Sequence, residues 1–260
     1  MQVGVSTSCL FPMETEKALR RLAALGVRRT EIFLNSSSEA KPDFVKELAT
    51  IARGEGMRVT GLHPYCSDSE GIMFFGRYPR RFSDGLDEYR RMFEACAVLG
   101  APYLIFHGAK PRPVISRERY FERFSRLREE GRKFKTELCQ ENVARCMSRD
   151  LDFLHEMAEA IPDVQFVLDI KQALRSGYSA LEAMRAMRGH LSRIHVSDHT
   201  ELCDCVPPGK GTEDFSSLAA EAESQGFLGD WMIELYRWNF DEEIELAVCE
   251  KKLKVLIQTE

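Results

Sequence analysis

The distribution of apolar residues along the chain predicts eight short strands separated by helical segments. The predicted strands are brief apolar runs that start 27 to 45 residues apart, the spacing of one strand and one helix per repeat. A run such as Phe166-Val167-Leu168 is apolar at every position, which is typical of parallel strands covered on both faces. The eight runs cover residues 3–7, 30–34, 58–63, 103–107, 136–142, 164–170, 193–197 and 231–235.

The segments between these runs have the periodicity of amphipathic helices. Leu19, Leu22 and Ala23 fall on one helical face, and Gly26 stands where a glycine would end the helix. Further along, Ser148 is the predicted N-cap of a helix that stops before Pro162. Eight such units close most naturally as a (β/α)8 TIM barrel, and we expect one α/β domain over residues 1–260. An open doubly wound sheet is the alternative.

The composition is that of an ordinary globular protein and excludes several classes of function. The 260 residues include 36 Lys and Arg against 41 Asp and Glu, a net charge of −5, and 44% are hydrophobic. A dedicated nucleic-acid binder would need a basic footprint, which this balance lacks. The first residues have no basic segment before an apolar one, and no apolar run approaches a membrane span. We therefore expect a cytoplasmic protein without nucleic-acid or membrane partners, and leave homo-oligomerisation open.

Eight cysteines are spread along the chain without a Cys-x-x-Cys pair. In a chain of this size without a secretory signal, they are expected to be reduced thiols. Cys203 and Cys205 flank Asp204 and form the one pair that a soft metal could use. One intervening residue and no second pair make that alternative weak.

Polar residues follow six of the predicted strands at their carboxyl ends, where the active site of a (β/α)8 barrel lies. Each of the six is an imidazole or a carboxylate. They are His63, His107, Glu141, Asp169, His195 and Glu234.

Four of these residues predict a metal site. Glu141, Asp169 and Glu234 would place three negative charges in one small volume, where they repel one another unless a cation offsets them. With His195 they offer oxygen-rich ligation, which favours one divalent ion, Mn²⁺ before Zn²⁺, Mg²⁺ or Co²⁺. Any one of them alone would be more typical of a core or rim residue.

The motifs around these positions resemble a known family. They comprise Gln-Glu141-Asn, Leu-Asp169, Ile-His195-Val-Ser-Asp198, Pro208-Gly209-Lys210-Gly211 and Ile-Glu234. From the first strand to the last helix, the pattern resembles the sugar phosphate isomerase/epimerase family, the xylose isomerase-like TIM barrels. The resemblance implies that Glu141, Asp169, His195 and Glu234 bind one divalent metal. It also implies that Glu141 and Glu234 are the acid/base pair.

Two glutamates suit the chemistry that this family performs. Moving a proton on a carbon next to a carbonyl needs a base, and an acid to return the proton to the enediolate. Two carboxylates on opposite faces of the enediolate give epimerisation, because the proton leaves from one face and returns to the other. Return of the proton from the same face to the neighbouring carbon gives isomerisation. His63, His107, Gln172 and Lys210 are the predicted substrate-binding residues. Gln172 stands where related enzymes have a histidine, and an amide cannot become cationic.

Two loops are candidates for substrate walls. The segment 65–83 contains Met73, Phe74, Phe75 and Tyr78, which suggests either a lid or a loop packed on its own aromatic residues. In the segment 108–116, Lys110 and Arg112 could meet a phosphate or carboxylate, although loop cations are more often solvated.

We therefore expect a metal-dependent isomerase or epimerase whose substrate is a sugar, sugar phosphate or cyclitol. A dehydratase of the inosose type on the same metal site and a non-catalytic sugar-binding barrel are alternatives. A third is an apurinic endonuclease like endonuclease IV, with three zinc ions. That site would lack two of its histidines, because Gln172 and Val206 stand in their places.

Overall fold

Eight parallel strands close into a barrel in sequence order, each hydrogen-bonded to the next and the eighth to the first. The computed structural model describes residues 1–111 and 115–258. The (β/α)8 prediction is therefore confirmed, and the open sheet was wrong. The strands are β1 Gln2–Ser6, β2 Arg29–Phe33, β3 Arg58–His63, β4 Tyr103–Phe106, β5 Glu137–Glu141, β6 Gln165–Asp169, β7 Leu191–Val196 and β8 Asp230–Ile233.

The helices surround the barrel. Within the described residues they are α1 Thr15–Ala24, α2 Pro42–Gly54, α3 Glu70–Phe75, α4 Pro79–Leu99, α5 Arg117–Arg132, α6 Leu151–Ala160, α7 Ile170–Arg175, α8 Ala180–Ala186, α9 Phe215–Ser224 and α10 Ile244–Leu256. None of these helices combines the length and the apolar character needed to cross a bilayer.

Two helix ends illustrate how local sequence determines the boundaries. Helix α1 ends as predicted, since Gly26 adopts a φ of 91° that glycine tolerates best. The predicted N-cap of α6 was wrong. Asp150 caps this helix by accepting a hydrogen bond from Asp152 N at 2.9 Å, while the Ser148 hydroxyl accepts one from Val143 N at 3.1 Å. Ser148 thus tightens the loop that follows β5.

The main hydrophobic core lies between the outer face of the barrel and the helices. A second, small cluster of Ile105, Cys139 and Val167 fills part of the barrel interior.

All eight cysteines are free thiols, seven of them buried. Cys203 Sγ donates to the Cys205 carbonyl, and neither belongs to a potential ligand cluster of the described residues.

A buried ion pair crosses the barrel interior. The guanidinium of Arg193 contacts Glu31 and donates to Thr60, and Arg193 and Glu31 are both fully buried. This pair needs space that Gly61 provides. A Cβ at Gly61 would overlap the guanidinium and lie 2.7 Å from Glu31 Oε2. Because removing one partner from a buried pair leaves an uncompensated charge, the interior depends on this geometry.

Replacing Gly61 by alanine is expected to destabilise the protein by roughly 1–3 kcal/mol, the usual cost of overpacking a closed interior. The matched control is Gly54→Ala at the end of α2, where a Cβ would meet no atom within 4 Å. There the better helix propensity of alanine should leave stability unchanged or raised by up to about 1 kcal/mol. Urea unfolding of both variants measures the change in the free energy of unfolding. Equal changes would show that the space around Gly61 can accommodate a methyl group.

Candidate active site

Three carboxylates from three different strands converge on one nitrogen of His195. His195 Nδ1 lies 2.9 Å from Glu234 Oε2, 3.3 Å from Glu141 Oε1 and 3.9 Å from Asp169 Oδ2. Asp169 and His195 are register partners on β6 and β7, so they extend from the same level of the barrel. The structure thus brings together all four residues that the sequence predicted as metal ligands, at the carboxyl ends of β5 to β8.

The residues flanking Glu141 explain why its position is well defined. The Gln140 amide donates to the carbonyls of Phe106 and His107 at 3.2 and 3.0 Å, which fastens the end of β4 to β5. The Asn142 amide donates to Asp169 O at 3.0 Å and accepts from Asp169 N at 2.6 Å, which fastens the end of β6. The Gln-Glu-Asn motif therefore ties three strand ends together around its central carboxylate.

A fourth carboxylate, that of Glu31, contacts the other ring nitrogen of His195. His195 Nε2 lies 3.2 Å from Glu31 Oε1, and the other oxygen of Glu31 contacts Arg193. Sequence analysis missed Glu31, although a carboxylate inside the apolar run 30–34 was a signal that it needs a buried partner. A partner on the far nitrogen fixes the ring so that Nδ1 faces the three carboxylates, as in many metal-binding histidines.

The electrostatics of the cluster fit a cation site. Burial, together with Glu141 and Glu234, raises the pKa of Asp169 to about 6 despite the opposing effect of Lys171. Burial opposes the charged form of His195, but the carboxylates of Glu234 and Glu31 outweigh it and raise the pKa of this imidazole well above its usual value. The carboxylates thus favour a protonated His195, and a divalent ion bound at Nδ1 would displace that proton.

Unpartnered polar atoms point to the same conclusion. Among the described residues, Glu141 Oε2 and Glu234 Oε2 are buried without a well-directed hydrogen bond, although they lie 2.9 Å from His107 Nε2 and from His195 Nδ1, respectively. Leaving such atoms unsatisfied costs free energy. Hard carboxylate oxygens with one imidazole nitrogen are a donor set for Mn²⁺, Zn²⁺ or Mg²⁺. The residues present therefore fit a divalent ion.

A lysine that sequence analysis did not single out lies in the same cluster. Lys171 Nζ contacts Asp169 Oδ2 and lies 3.2 Å from Glu234 Oε1. Its side chain is only 3% exposed. The signal in the sequence was its position two residues after Asp169, at the start of α7.

His63 and His107 form a neighbouring group on the other side of Glu141. Their Nε2 atoms are 2.8 Å apart, and His107 Nε2 lies 2.9 Å from Glu141 Oε2. Burial and the adjacent His107 lower the pKa of His63 to about 4. With Glu141 they form another group of potential ligands.

The other two predicted substrate residues have different surroundings. Gln172 N donates to Asp169 Oδ1 at 2.9 Å, and its side-chain oxygen accepts from Ala144 N at 3.0 Å. It therefore lies at the edge of the site. Lys210 instead pairs with Glu245 on α10 at 2.5 Å, and its side chain is 55% exposed. The structure does not bring Lys210 together with the strand-end residues.

Asp198 explains the motif that contains Lys210. Its Oδ2 accepts from Gly209 N and Gly211 N at 2.8 and 2.9 Å, and its Oδ1 accepts from Glu213 N at 2.9 Å. A side chain at Gly211 would collide with Asp198 itself. The Pro-Gly-Lys-Gly segment is thus folded around one carboxylate, and that packing requires a glycine at position 211.

The aromatic residues of segment 65–83 pack inward. Phe74 and Phe75 are buried, with Phe75 stacked on Tyr120 at 4.1 Å and Phe74 edge-on to Tyr89 at 4.9 Å. This does not favour a lid built from these aromatic residues. The segment contains α3, which packs Phe74 and Phe75 against Tyr89 of α4 and Tyr120 of α5, and Tyr78 is exposed.

Two cavities open near the strand ends. The first, of about 260 Å³, is bordered by Lys171 and Glu234 as its charged residues and by the aromatic rings of Phe11, Phe33 and Tyr236. The second, of about 250 Å³, contains three basic side chains, Arg81, Lys110 and Arg145, opposite Asp68. Lys110 borders this second cavity, whereas Arg112 lies outside the described residues.

Comparison with protein-family models places the chain in one family. Residues 19–252 match the family model for the xylose isomerase-like TIM barrel. The chain belongs to this family. A search of curated proteins finds no match.

Several solved structures superpose over nearly the whole chain. A D-tagatose 3-epimerase-like protein has 17% sequence identity and a TM-score of 0.81, covering 99% of this chain and 97% of its own. D-Psicose 3-epimerase from Clostridium cellulolyticum H10, solved with D-tagatose, has 16% identity and a TM-score of 0.80, with coverage of 99% and 100%. The IOLI protein with a bound zinc atom has 18% identity and a TM-score of 0.79, with coverage of 99% and 98%. At these identities the likeness shows the fold.

We expect His195→Ala to weaken Mn²⁺ affinity by at least tenfold, because it removes the nitrogen on which the three carboxylates converge. His155→Ala is the matched control. His155 lies on α6 and is half exposed, 2.8 Å from Arg188 Nη1. Calorimetric titration of both apoproteins with Mn²⁺ measures the effect, and an equal change in the two variants would contradict the site.

Proposed function

We propose that this protein is a metal-dependent isomerase or epimerase of a sugar or cyclitol. The observation that carries the proposal is the convergence of two glutamates, an aspartate and a supported histidine at the mouth of the barrel. The family membership and the sugar epimerases among the similar structures support it.

Glu141, Asp169, His195 and Glu234 would hold the divalent ion. When bound, the ion would polarise the carbonyl and hydroxyl oxygens of the substrate and lower the pKa of the intervening C–H group. Glu31 contributes by holding His195 from the opposite nitrogen, and Arg193 holds Glu31. The zinc in the structurally similar IOLI protein supports a divalent ion at this site without fixing which ion it is.

Glu141 and Glu234 are the proposed acid and base. They reach the site from β5 and from the residue after β8, three strands apart in the ring. Carboxylates that approach from separate strands can address a substrate carbon from two sides, so that one removes a proton and the other returns one. Such an exchange inverts the configuration at that carbon, which favours epimerisation.

The cavity beside Glu234 suits a neutral, polyhydroxylated substrate. Phe11, Phe33 and Tyr236 offer apolar faces for C–H groups, while Ser8 and Asn35 offer hydrogen bonds to hydroxyls. The basic cavity near Arg145 is the place for an anionic end of the substrate, if the sugar is phosphorylated. His63 and His107 both lie against the Glu141 carboxylate.

The endonuclease alternative needs metal-binding side chains at positions 172 and 206, and the residues there do not support it. The Gln172 side chain accepts from Ala144 N, and Val206 pairs with Asp198 through its backbone. Neither offers a ligand for a third ion.

Glu141→Gln and Glu234→Gln should each reduce turnover by about 10²–10⁴-fold, the usual contribution of a general acid or base. Glutamine keeps the size and one oxygen donor, so part of the Mn²⁺ binding should remain. The measurement is deuterium incorporation from D₂O into D-tagatose and D-fructose by the Mn²⁺-loaded protein, followed by mass spectrometry. Glu156→Gln is the control, because this residue lies on α6 and pairs with Arg117.

Retention of more than about a tenth of wild-type exchange, with metal still bound, would make the substituted glutamate a ligand only. Loss of exchange in one variant alone would indicate an isomerase that uses one carboxylate for both proton transfers. Loss of water from the substrate in place of exchange would indicate the dehydratase.

A further inference from the structure

Lys171 is the one residue in the carboxylate cluster for which the proposed chemistry has assigned no part. Its ammonium contacts Asp169 Oδ2 and lies 3.2 Å from Glu234 Oε1, so it touches two of the four proposed metal ligands. The side chain is almost fully buried, yet it also borders the cavity beside Glu234. A buried lysine needs such pairing, because an isolated ammonium is costly to bury.

The ammonium and the proposed metal position divide the carboxylate oxygens between them. Glu234 directs Oε1 to Lys171 and Oε2 to His195 Nδ1. Asp169 directs Oδ1 to Gln172 N, which leaves Oδ2 between Lys171 and His195. A cation bound against His195 would therefore share Asp169 Oδ2 with the ammonium and lie close to it.

The charges of the cluster show what this contact does. When His195 is neutral, as a metal ligand must be, Glu141, Asp169 and Glu234 carry three negative charges if ionised, and Lys171 reduces the sum to −2. The Arg193–Glu31 pair beneath them adds nothing, since its charges cancel. One divalent ion then makes the site neutral, whereas without Lys171 it would leave a negative charge in a buried volume.

We propose that Lys171 is a built-in cation of this site, which limits its affinity for divalent ions and supplies the positive charge that meets a substrate oxygen in the cavity. The second part rests on the proposed function, and the first does not. Of the described charged residues that border this cavity, Lys171 is the only cation, and the carboxylate beside it is the proposed acid/base Glu234. A fixed ammonium there would stabilise negative charge that develops on an oxygen of the enediolate.

The test substitutes Lys171 by Met, which keeps the length and removes the charge, and by Gln, which keeps a hydrogen-bond donor. Lys254→Met is the control, because Lys254 pairs with Glu250 on the surface helix α10. Thermal unfolding of each apoprotein first establishes that it is folded. Calorimetric titration with Mn²⁺ alone then measures the affinity, and deuterium incorporation into D-tagatose measures the reaction.

We expect both Lys171 variants to bind Mn²⁺ at least tenfold more tightly, because a competing cation is gone, while exchange falls by about 10²-fold. A lysine that merely held the carboxylates in place would give the opposite change in affinity. Unchanged or weaker Mn²⁺ binding in both variants would therefore overturn the charge role. Tighter binding with undiminished exchange would overturn the substrate contact.

The two proposals fail in distinguishable ways. If the wild-type protein exchanged no deuterium into the ketoses, the proposed function would fall, and with it the substrate contact of Lys171. The Mn²⁺ affinities would still decide whether Lys171 limits metal binding.

Discussion

The repulsion among three buried carboxylates is the constraint on which the rest of the site depends. Glu141, Asp169 and Glu234 all approach His195 Nδ1, and each is held by its own strand end. The barrel can tolerate this arrangement because cations surround it. Lys171 lies within the cluster, Arg193 neutralises Glu31 below it, and a divalent ion would complete the compensation. The three carboxylates whose repulsion destabilises the metal-free site are also the groups that attract a divalent ion.

The barrel brings the carboxyl ends of its strands together, and side chains next to the site hold these ends in place. Gln140 and Asn142 fasten the ends of β4, β5 and β6 to one another, and Asp198 folds the loop after β7. These residues flank the chemical groups in the sequence and act on the backbone rather than on a ligand. Their hydrogen bonds give each of these polar residues a structural role near Glu141 and His195.

The sequence predicted the barrel and the four-residue cluster because both follow from periodic features. Eight apolar runs specify eight strands, and parallel strands place their carboxyl ends together, so His195 and the three carboxylates had to meet. Glu31 and Lys171 could not be placed in this way. Glu31 lies in the middle of a strand, and Lys171 follows a strand by two residues, so their direction depends on packing. The exposed position of Lys210 likewise depends on a tertiary contact, the ion pair of its side chain with Glu245 on α10.

Anomalous diffraction from a crystal soaked in Mn²⁺ tests the central claim most directly. We predict one peak per chain, bounded by Glu141, Asp169, His195 and Glu234. A peak confined to the group formed by His63, His107 and Glu141 would contradict the account, because the cation would then lie on the wrong side of Glu141. The absence of any peak after soaking in excess Mn²⁺ would contradict it as well.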